Sequence, residues 1–285
     1  MTILERLPVP KIRGFTLVEM AVVLFIFGLL IAGVLGPLET QLEARDRNST
    51  ISTMNEIIEA LYGYAITHGR LPCPDTDGDG LPDMTNEPYD PSDATTSDCD
   101  GGTFSDDEGF LPWVELGVAQ GDAWGNRFRY FVRSPQFTRP DSDLPAFSSD
   151  RICDGDVAPQ ELDLCATGNV TVQTRGDDPG TAGMQGKFLS TLANNLPAIV
   201  LSHGRNGLGA TSTGGAARPT PATSTDEAEN TNGDTTFVSR GYSGDSSTCA
   251  DSNAEDSALC AFDDIVMWIS PSLLNNRMVT AGRLP

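Results

Sequence analysis

Histidine is nearly absent: the 285 residues contain two, His68 and His203. With so few imidazoles, a histidine-rich metal centre or a catalytic triad has little to draw on. Basic residues are scarce too. Lys and Arg total 18 against 40 Asp and Glu, for a formal net charge of −22. So acidic a chain has no basic surface to offer nucleic acid. No two cysteines have the C-x₂₋₄-C spacing of a zinc site, and the G-x-S-x-G nucleophile elbow does not occur. No internal repeat stands out. No set of His, Glu and Asp residues converges by spacing, so the chain is not expected to be an enzyme.

One long apolar run is present. From Phe15 to Leu38 every residue except Thr16 and Glu19 is apolar, Gly or Pro. A helix of that length spans a bilayer, which takes about 20 residues. Lys11 and Arg13 precede it, and a basic flank stays cytoplasmic. A secretory signal is cut after its apolar region. A plain anchor accounts for the run and its flank, but not for an acid placed just inside it. An acid there is expensive and calls for a partner. A buried carboxylate wants a cation.

Gly14-Phe15-Thr16-Leu17-Val18-Glu19 resembles the cleavage and methylation signal of type IV prepilins and of the pseudopilins of type II secretion. Gly28 and Pro37 also fall near positions where that family has glycine and proline. The resemblance implies cleavage after Gly14 by a prepilin peptidase, methylation of Phe15 and a role for Glu19 in filament assembly. The implied domains are a leader over 1–14, a transmembrane and assembly helix over 15–38, its amphipathic continuation over 39–69 and a globular head over 70–285. The implied partners are other pilin or pseudopilin subunits, the peptidase/methyltransferase and the bacterial inner membrane. The chain would cross that membrane once with its head in the periplasm, then enter a periplasmic or extracellular filament. Its size suggests a minor subunit. The alternatives are a type II secretion pseudopilin and, from another class, a membrane-tethered calcium-dependent binding protein or adhesin.

Periodicity points independently to a long helix. Leu42, Ile51, Met54, Ile57, Ile58, Leu61, Tyr62 and Ala65 recur at three- and four-residue steps, and Gly69 follows as a helix-ending glycine. Residues 70 to 112 read as irregular. Arg127 to Arg133, Asn169 to Thr174, Leu196 to Ser202, Thr236 to Tyr242 and Ile265 to Ile269 read as strands. Residues 210 to 235 read as an exposed low-complexity loop. Pro271 to Ala281 reads as a short helix. The expected class is α+β: a pilin-like long helix packed on an antiparallel sheet, with long disulfide-closed loops.

The six cysteines fall as three close pairs. Proximity favours Cys73–Cys99, Cys153–Cys165 and Cys249–Cys260, bridges that persist in an oxidising compartment. Between the first pair lies Asp75-Thr76-Asp77-Gly78-Asp79-Gly80-Leu81-Pro82-Asp83. Asp75, Asp77 and Asp79 at alternate positions, with Asp83 as a later acid, offer hard oxygen ligands of the kind Ca²⁺ takes. Position twelve is Asn86 rather than a bidentate Glu, and Pro72, Pro74 and Pro82 discourage flanking helices. The loop is therefore no EF-hand and looks more like the calcium loops of thrombospondin type 3 repeats. An acidic solvated turn is the alternative. Whether Asp98, Asp100, Asp106 or Asp107 joins a site is open.

Three further segments are read structurally. Gly121 to Asn126 resembles the Asp-Pro-Trp-Gly segment of major pseudopilins, with Ala123 in place of Pro, and serves as a turn anchored by Trp124. Ser202-His203 is expected to end a strand rather than form a dyad. Asp263 and Asp264 are expected to be solvated or turn residues, and Val266, Trp268 and Ile269 core residues.

Overall fold

The computed structural model describes residues 14–84, 99, 107–133, 136–138, 162, 164, 166–175, 189–223, 225–244, 249, 251 and 259–284, with the side chains of 30–39 outside that set. Cys153 and Cys165 fall outside the described residues, as do Asp98, Asp100 and Asp106.

The chain opens with α1, Leu17–His68. Short elements follow: β1 (Glu108–Phe110), α2 (Trp113–Leu116), β2 (Arg129–Val132), β3 (Val170–Arg175) and β4 (Leu189–Leu196). Then come β5 (Ala198–Ser202), α3 (Asp226–Glu229), β6 (Thr236–Val238), β7 (Ile265–Trp268) and α4 (Pro271–Thr280). The class is mixed α+β. The chain divides into two compact units, Met1–Asp46 and Arg47–Pro285.

In the first unit the helix is apolar all round, as residues 17 to 29 dictate. Phe15 is 82% exposed, and Leu24 and Phe25 are also exposed. No helix among the described residues is long and apolar enough to cross a membrane. The expected span runs on into 30–39, whose side chains are not described.

In the second unit, α1 carries one apolar face. Met54, Ile57, Leu61 and Ala65 have no exposed surface, and Tyr62 is buried beside them. They lie on one stripe because residues three and four apart share a helix face. Leu42, at the head of the expected stripe, is exposed. Gly69 ends the helix at φ 73°, its amide donating to Ala65 O at 2.8 Å. Arg283 satisfies two of the last carbonyls, donating from Nε to Ile66 O at 2.7 Å and from Nη2 to Thr67 O.

The stripe packs on a four-stranded antiparallel sheet of order β1-β2-β5-β7. Tyr130, Val200 and Met267 are paired across β2, β5 and β7, and so are Phe131, Ile199 and Trp268. Side chains alternate between faces with period two. Tyr130, Val132, Ala198, Val200 and Ile265 therefore meet α1 and α4, through Leu274 and Met278 of the latter. Phe131, Ile199, Leu201 and Val266 face the opposite way, onto Val170, Val172, Leu196 and Phe237 of a second sheet. That sheet has the order β4-β3-β6. The layers are helix, sheet, sheet.

The second sheet departs from the expected antiparallel pattern, because β6 joins β3 in parallel. Two strands lay outside the sequence reading: β1, within the supposedly irregular 70–112, and β4, whose side chains are mostly exposed. The segment 210–235 is also more ordered than its composition suggests. Residues 214 to 220 are exposed, but Asp226, Glu227 and Asn230 are buried.

Tyr62 joins the layers at one point. Its Oη accepts from Ser270 N at 3.2 Å, and the Arg277 guanidinium lies 4.4 Å above its ring. Two positions on α1 give opposite expectations. Leu61→Ala should cost about 2–5 kcal/mol, the range for emptying a buried leucine site. Gly63 is exposed, with nothing within 4 Å of an added Cβ. Gly63→Ala should therefore stabilise by about 0.5–1 kcal/mol through helix propensity. Urea unfolding of the full chain in detergent, followed by near-ultraviolet circular dichroism, measures both.

Candidate functional site

Gly14 to Thr16 precede the helix, and Leu17 is its first residue. Thr16 donates twice to Glu19 Oε2, from its backbone N at 2.8 Å and from Oγ1 at 2.9 Å. Glu19 N donates back to Thr16 Oγ1 at 3.2 Å. This is a capping box, with Thr16 at N-cap and Glu19 at N3. The signal Thr-x-x-Glu is legible in the sequence. A Cβ at Gly14 would meet nothing within 4 Å. Packing within the chain does not require glycine there.

The acidic loop is held at both ends. Cys73 bonds Cys99, with 5.3 Å between Cα atoms. Asp75 and Phe110 exchange backbone hydrogen bonds of 2.9 and 2.7 Å, fastening the loop to β1. Gly78 and Gly80 take φ of 90° and 92°, which L side chains rarely adopt. Those turns aim their amides inward, Gly78 N to Asp75 Oδ1 at 2.6 Å and Gly80 N to Asp75 Oδ2 at 3.0 Å. Asp83 Oδ2 accepts from Thr76 N, Thr76 Oγ1 and Asp77 N at 2.7, 2.6 and 3.2 Å. Arg127 closes the loop from outside. Its Nη1 donates to Gly78 O at 3.0 Å, and its guanidinium lies 5.0 Å from the Phe110 ring and 5.1 Å from that of Trp113.

Carboxylate oxygens of Asp75, Asp77 and Asp83 come within 4.8 Å of one another, close enough to hold one metal ion. Asp79 is not in that group. Its Oδ1 accepts from Leu81 N at 2.8 Å instead. Asp75 is fully buried, and burial pushes its pKa up against the pull of the Gly78 and Gly80 amides. Asp83 and Asp77 add to the rise. The oxygen-only donor set fits a hard divalent cation.

The Gly121–Asn126 turn is structural. Asp122 Oδ1 accepts from Trp124 N and Asn126 N at 3.0 and 2.9 Å, and Oδ2 accepts from Ser202 Oγ at 2.8 Å. That bond takes Ser202 away from His203, whose two ring nitrogens are buried without a partner. The Ser202 hydroxyl is therefore engaged by Asp122 and not by His203. Asp263 and Asp264 correct the sequence reading: they are 7% and 2% exposed, not solvated. The second cysteine pair within reach, Cys249 and Cys260, is bonded with 4.8 Å between Cα atoms.

Residues 10–35 match the model of the prokaryotic N-terminal methylation motif, the signal of type IV pilins and pseudopilins. This supports a pilin- or pseudopilin-like protein in the general sense, a class that is generally structural rather than enzymatic. No curated protein and no solved structure gives a significant match.

Gly80 tests how tightly the loop is built. A Cβ there would lie 2.5 Å from Val114 Cγ2 and 2.6 Å from Trp113 Cε2, besides the strain of its φ. At Gly117, φ 65°, an added Cβ meets nothing. Strain alone costs on the order of 1 kcal/mol, so Gly117→Ala should lose about that much. Gly80→Ala should lose about 2–4 kcal/mol once overpacking is added. Paired urea titrations check the difference.

Proposed function

We propose that this chain is a minor subunit of a type IV pilus or pilus-like filament, cut after Gly14, methylated at Phe15 and assembled through its N-terminal helix. The observation that carries the reading is the methylation motif at the head of α1, followed by apolar side chains exposed all round the helix. An all-apolar helix surface is stable against lipid or against other helices, not in water. The helix over 15–38 sits in the inner membrane before assembly and among neighbouring subunits afterwards. Residues 1–14 are the leader, 39–69 continue the helix, and 70–285 form the periplasmic or extracellular head.

Glu19 fits this use because its present partner is replaceable. Thr16 offers neutral donors, which leave the charge uncompensated in an apolar bundle. Cleavage creates a cation one residue before Thr16, and a neighbour's amine can then meet the carboxylate. Gly14 fits because the chain's own packing does not demand glycine, which leaves the peptidase as the reader of that position. A pseudopilin of type II secretion is the second reading, favoured by the Asp122–Trp124 turn that leads into β2. Under either reading the acidic loop binds Ca²⁺ through Asp75, Asp77 and Asp83 and braces the start of the head.

Gly14→Val should leave the leader attached and abolish assembly. Mass spectrometry of sheared material should find N-methylphenylalanine at Phe15 in the wild type. An intact Met1 terminus on assembled protein, or a wild-type chain absent from every sheared fraction, overturns the filament reading. For the loop, Asp77→Asn keeps the acceptor for Asp79 N and removes the charge. Extracellular calcium modules bind at about 10⁻⁴ to 10⁻³ M, so several millimolar Ca²⁺ should stabilise the chelated wild type by about 1 kcal/mol. Calorimetric melting of the Asp77→Asn chain should show a smaller rise; an equal rise means that the loop takes no ion.

A further inference from the structure

We infer that Glu227, Asp263 and Asp264 form a second, buried site for a hard divalent cation, with Ca²⁺ the ion that the donor set suits. The inference is independent of the filament reading.

The site is assembled by strand register. Ser202, the last residue of β5, pairs with Ile265, the first of β7. His203 and Asp264 are the next residues outward, so they meet. Asp263 continues past them, and α3 supplies Glu227. Carboxylate oxygens of the three acids lie within 4.8 Å of one another, and the residues are 2%, 7% and 2% exposed.

The hydrogen bonds fix these groups without using them up. Glu227 Oε1 accepts from Asn206 Nδ2 at 2.8 Å and from Asp263 N at 3.2 Å. Asp263 Oδ2 accepts from Asn206 N at 2.7 Å, and Asp264 Oδ2 from Asn230 Nδ2 at 2.7 Å. The other oxygens, Asp263 Oδ1 and Asp264 Oδ1, are buried with no partner. His203 is wholly buried with both nitrogens unpartnered, its Nδ1 3.7 Å from Asp264 Oδ1. A buried polar atom without a partner costs about 1–3 kcal/mol, more when charged. Several around one point are expensive unless a ligand meets them there.

Asp226, the residue before Glu227, shows how this fold neutralises a buried acid with its own side chains. Arg175 Nε lies 2.9 Å from Asp226 Oδ1 and Arg240 Nε 2.7 Å from Oδ2. Glu227 takes neutral donors, Asn206 Nδ2 and Asp263 N, and faces two more carboxylates. Burial first, then Asp264 and Asp263, push its pKa up to about 7. Burial and Asp264 push Asp263 to about 6. Arg47 reaches this region, but its Nη1 donates to the backbone O of Asp263 at 3.3 Å.

Glycine makes room for the arrangement. At Gly204, φ 59°, a Cβ would lie 2.5 Å from Asp263 O and 2.6 Å from Asp263 Oδ1. Three anionic oxygen donors favour Ca²⁺ over zinc, which takes histidine and thiolate. His203 lies beside the oxygen cluster, its Nδ1 too far from Asp264 Oδ1, at 3.7 Å, for a hydrogen bond.

The test uses the full chain in detergent, stripped with chelator and titrated with CaCl₂ by calorimetry. The Asp77→Asn background removes the loop's contribution. That chain should still bind one Ca²⁺, and adding Asp264→Asn or Glu227→Gln should weaken uptake at least tenfold. Each amide removes a buried charge, so each ion-free variant should melt no lower than the ion-free parent and gain nothing from calcium. No uptake of Ca²⁺, Mg²⁺ or Mn²⁺ by folded Asp77→Asn at about 10 mM overturns the inference. So does uptake unchanged by both Asp264→Asn and Glu227→Gln.

Discussion

Burial of β5 on both faces is the constraint on which the rest of the second unit depends. All five of its residues are buried. One face meets the helices and the other meets the second sheet, so neither layer can be removed without exposing Ile199 and Leu201 or Ala198 and Val200. A strand with two covered faces reads as a continuous apolar run, and Ala-Ile-Val-Leu does. At its end the run stops and polar groups crowd together: Ser202 on Asp122, Asn126 on Gly204 O, and His203 beside Asp264. The core strand thus delivers a polar cluster to a fixed place, aligned by its pairing with β7.

An acidic chain that buries acids must neutralise or satisfy each of them. Asp226 takes two arginines, which also bind beyond it: Arg240 Nη2 donates to Cys260 O at 2.9 Å, next to the second disulfide. Asp75 takes the amides of two glycines that only a positive φ can aim. Asp122 takes two amides and a hydroxyl, and burial still pushes its pKa up. Glu227, Asp263 and Asp264 face one another. The first three solutions are internal. The fourth leaves Asp263 Oδ1 and Asp264 Oδ1 buried without a partner.

Local signals were legible in the sequence. The stripe from Met54 to Ala65, the β-branched strands, the tail helix behind Pro271 and the Gly14–Glu19 motif each declare themselves within a few residues. β1 and β4 did not, because Glu-Gly-Phe is too short for a period and β4 sits at a sheet edge with exposed side chains. The parallel partnership of β3 and β6 is a long-range choice that no local pattern encodes. Asp263 and Asp264 misread for the same reason. Two acids before a strand usually mean a turn, and their burial comes from Glu227, 36 residues away, and from Asn206 and Asn230. In the acidic loop spacing predicted four acids on one point, but the Asx turn at Asp79 diverts the third to Leu81 N.

The capping box bears on how the N-terminus is used. A carboxylate at the start of an apolar helix that found no donors would have to stay protonated or remain in water. With Thr16 supplying two donors, Glu19 satisfies its own helix end and keeps its charge at the helix N-terminus, where the backbone dipole favours an anion. Each such bond is exposed and net-weak, about 1 kcal/mol. A cation meeting the same oxygen out of water is worth more, since charge-assisted bonds are roughly twice as strong. Thr16 therefore holds the carboxylate in a defined position at the helix start.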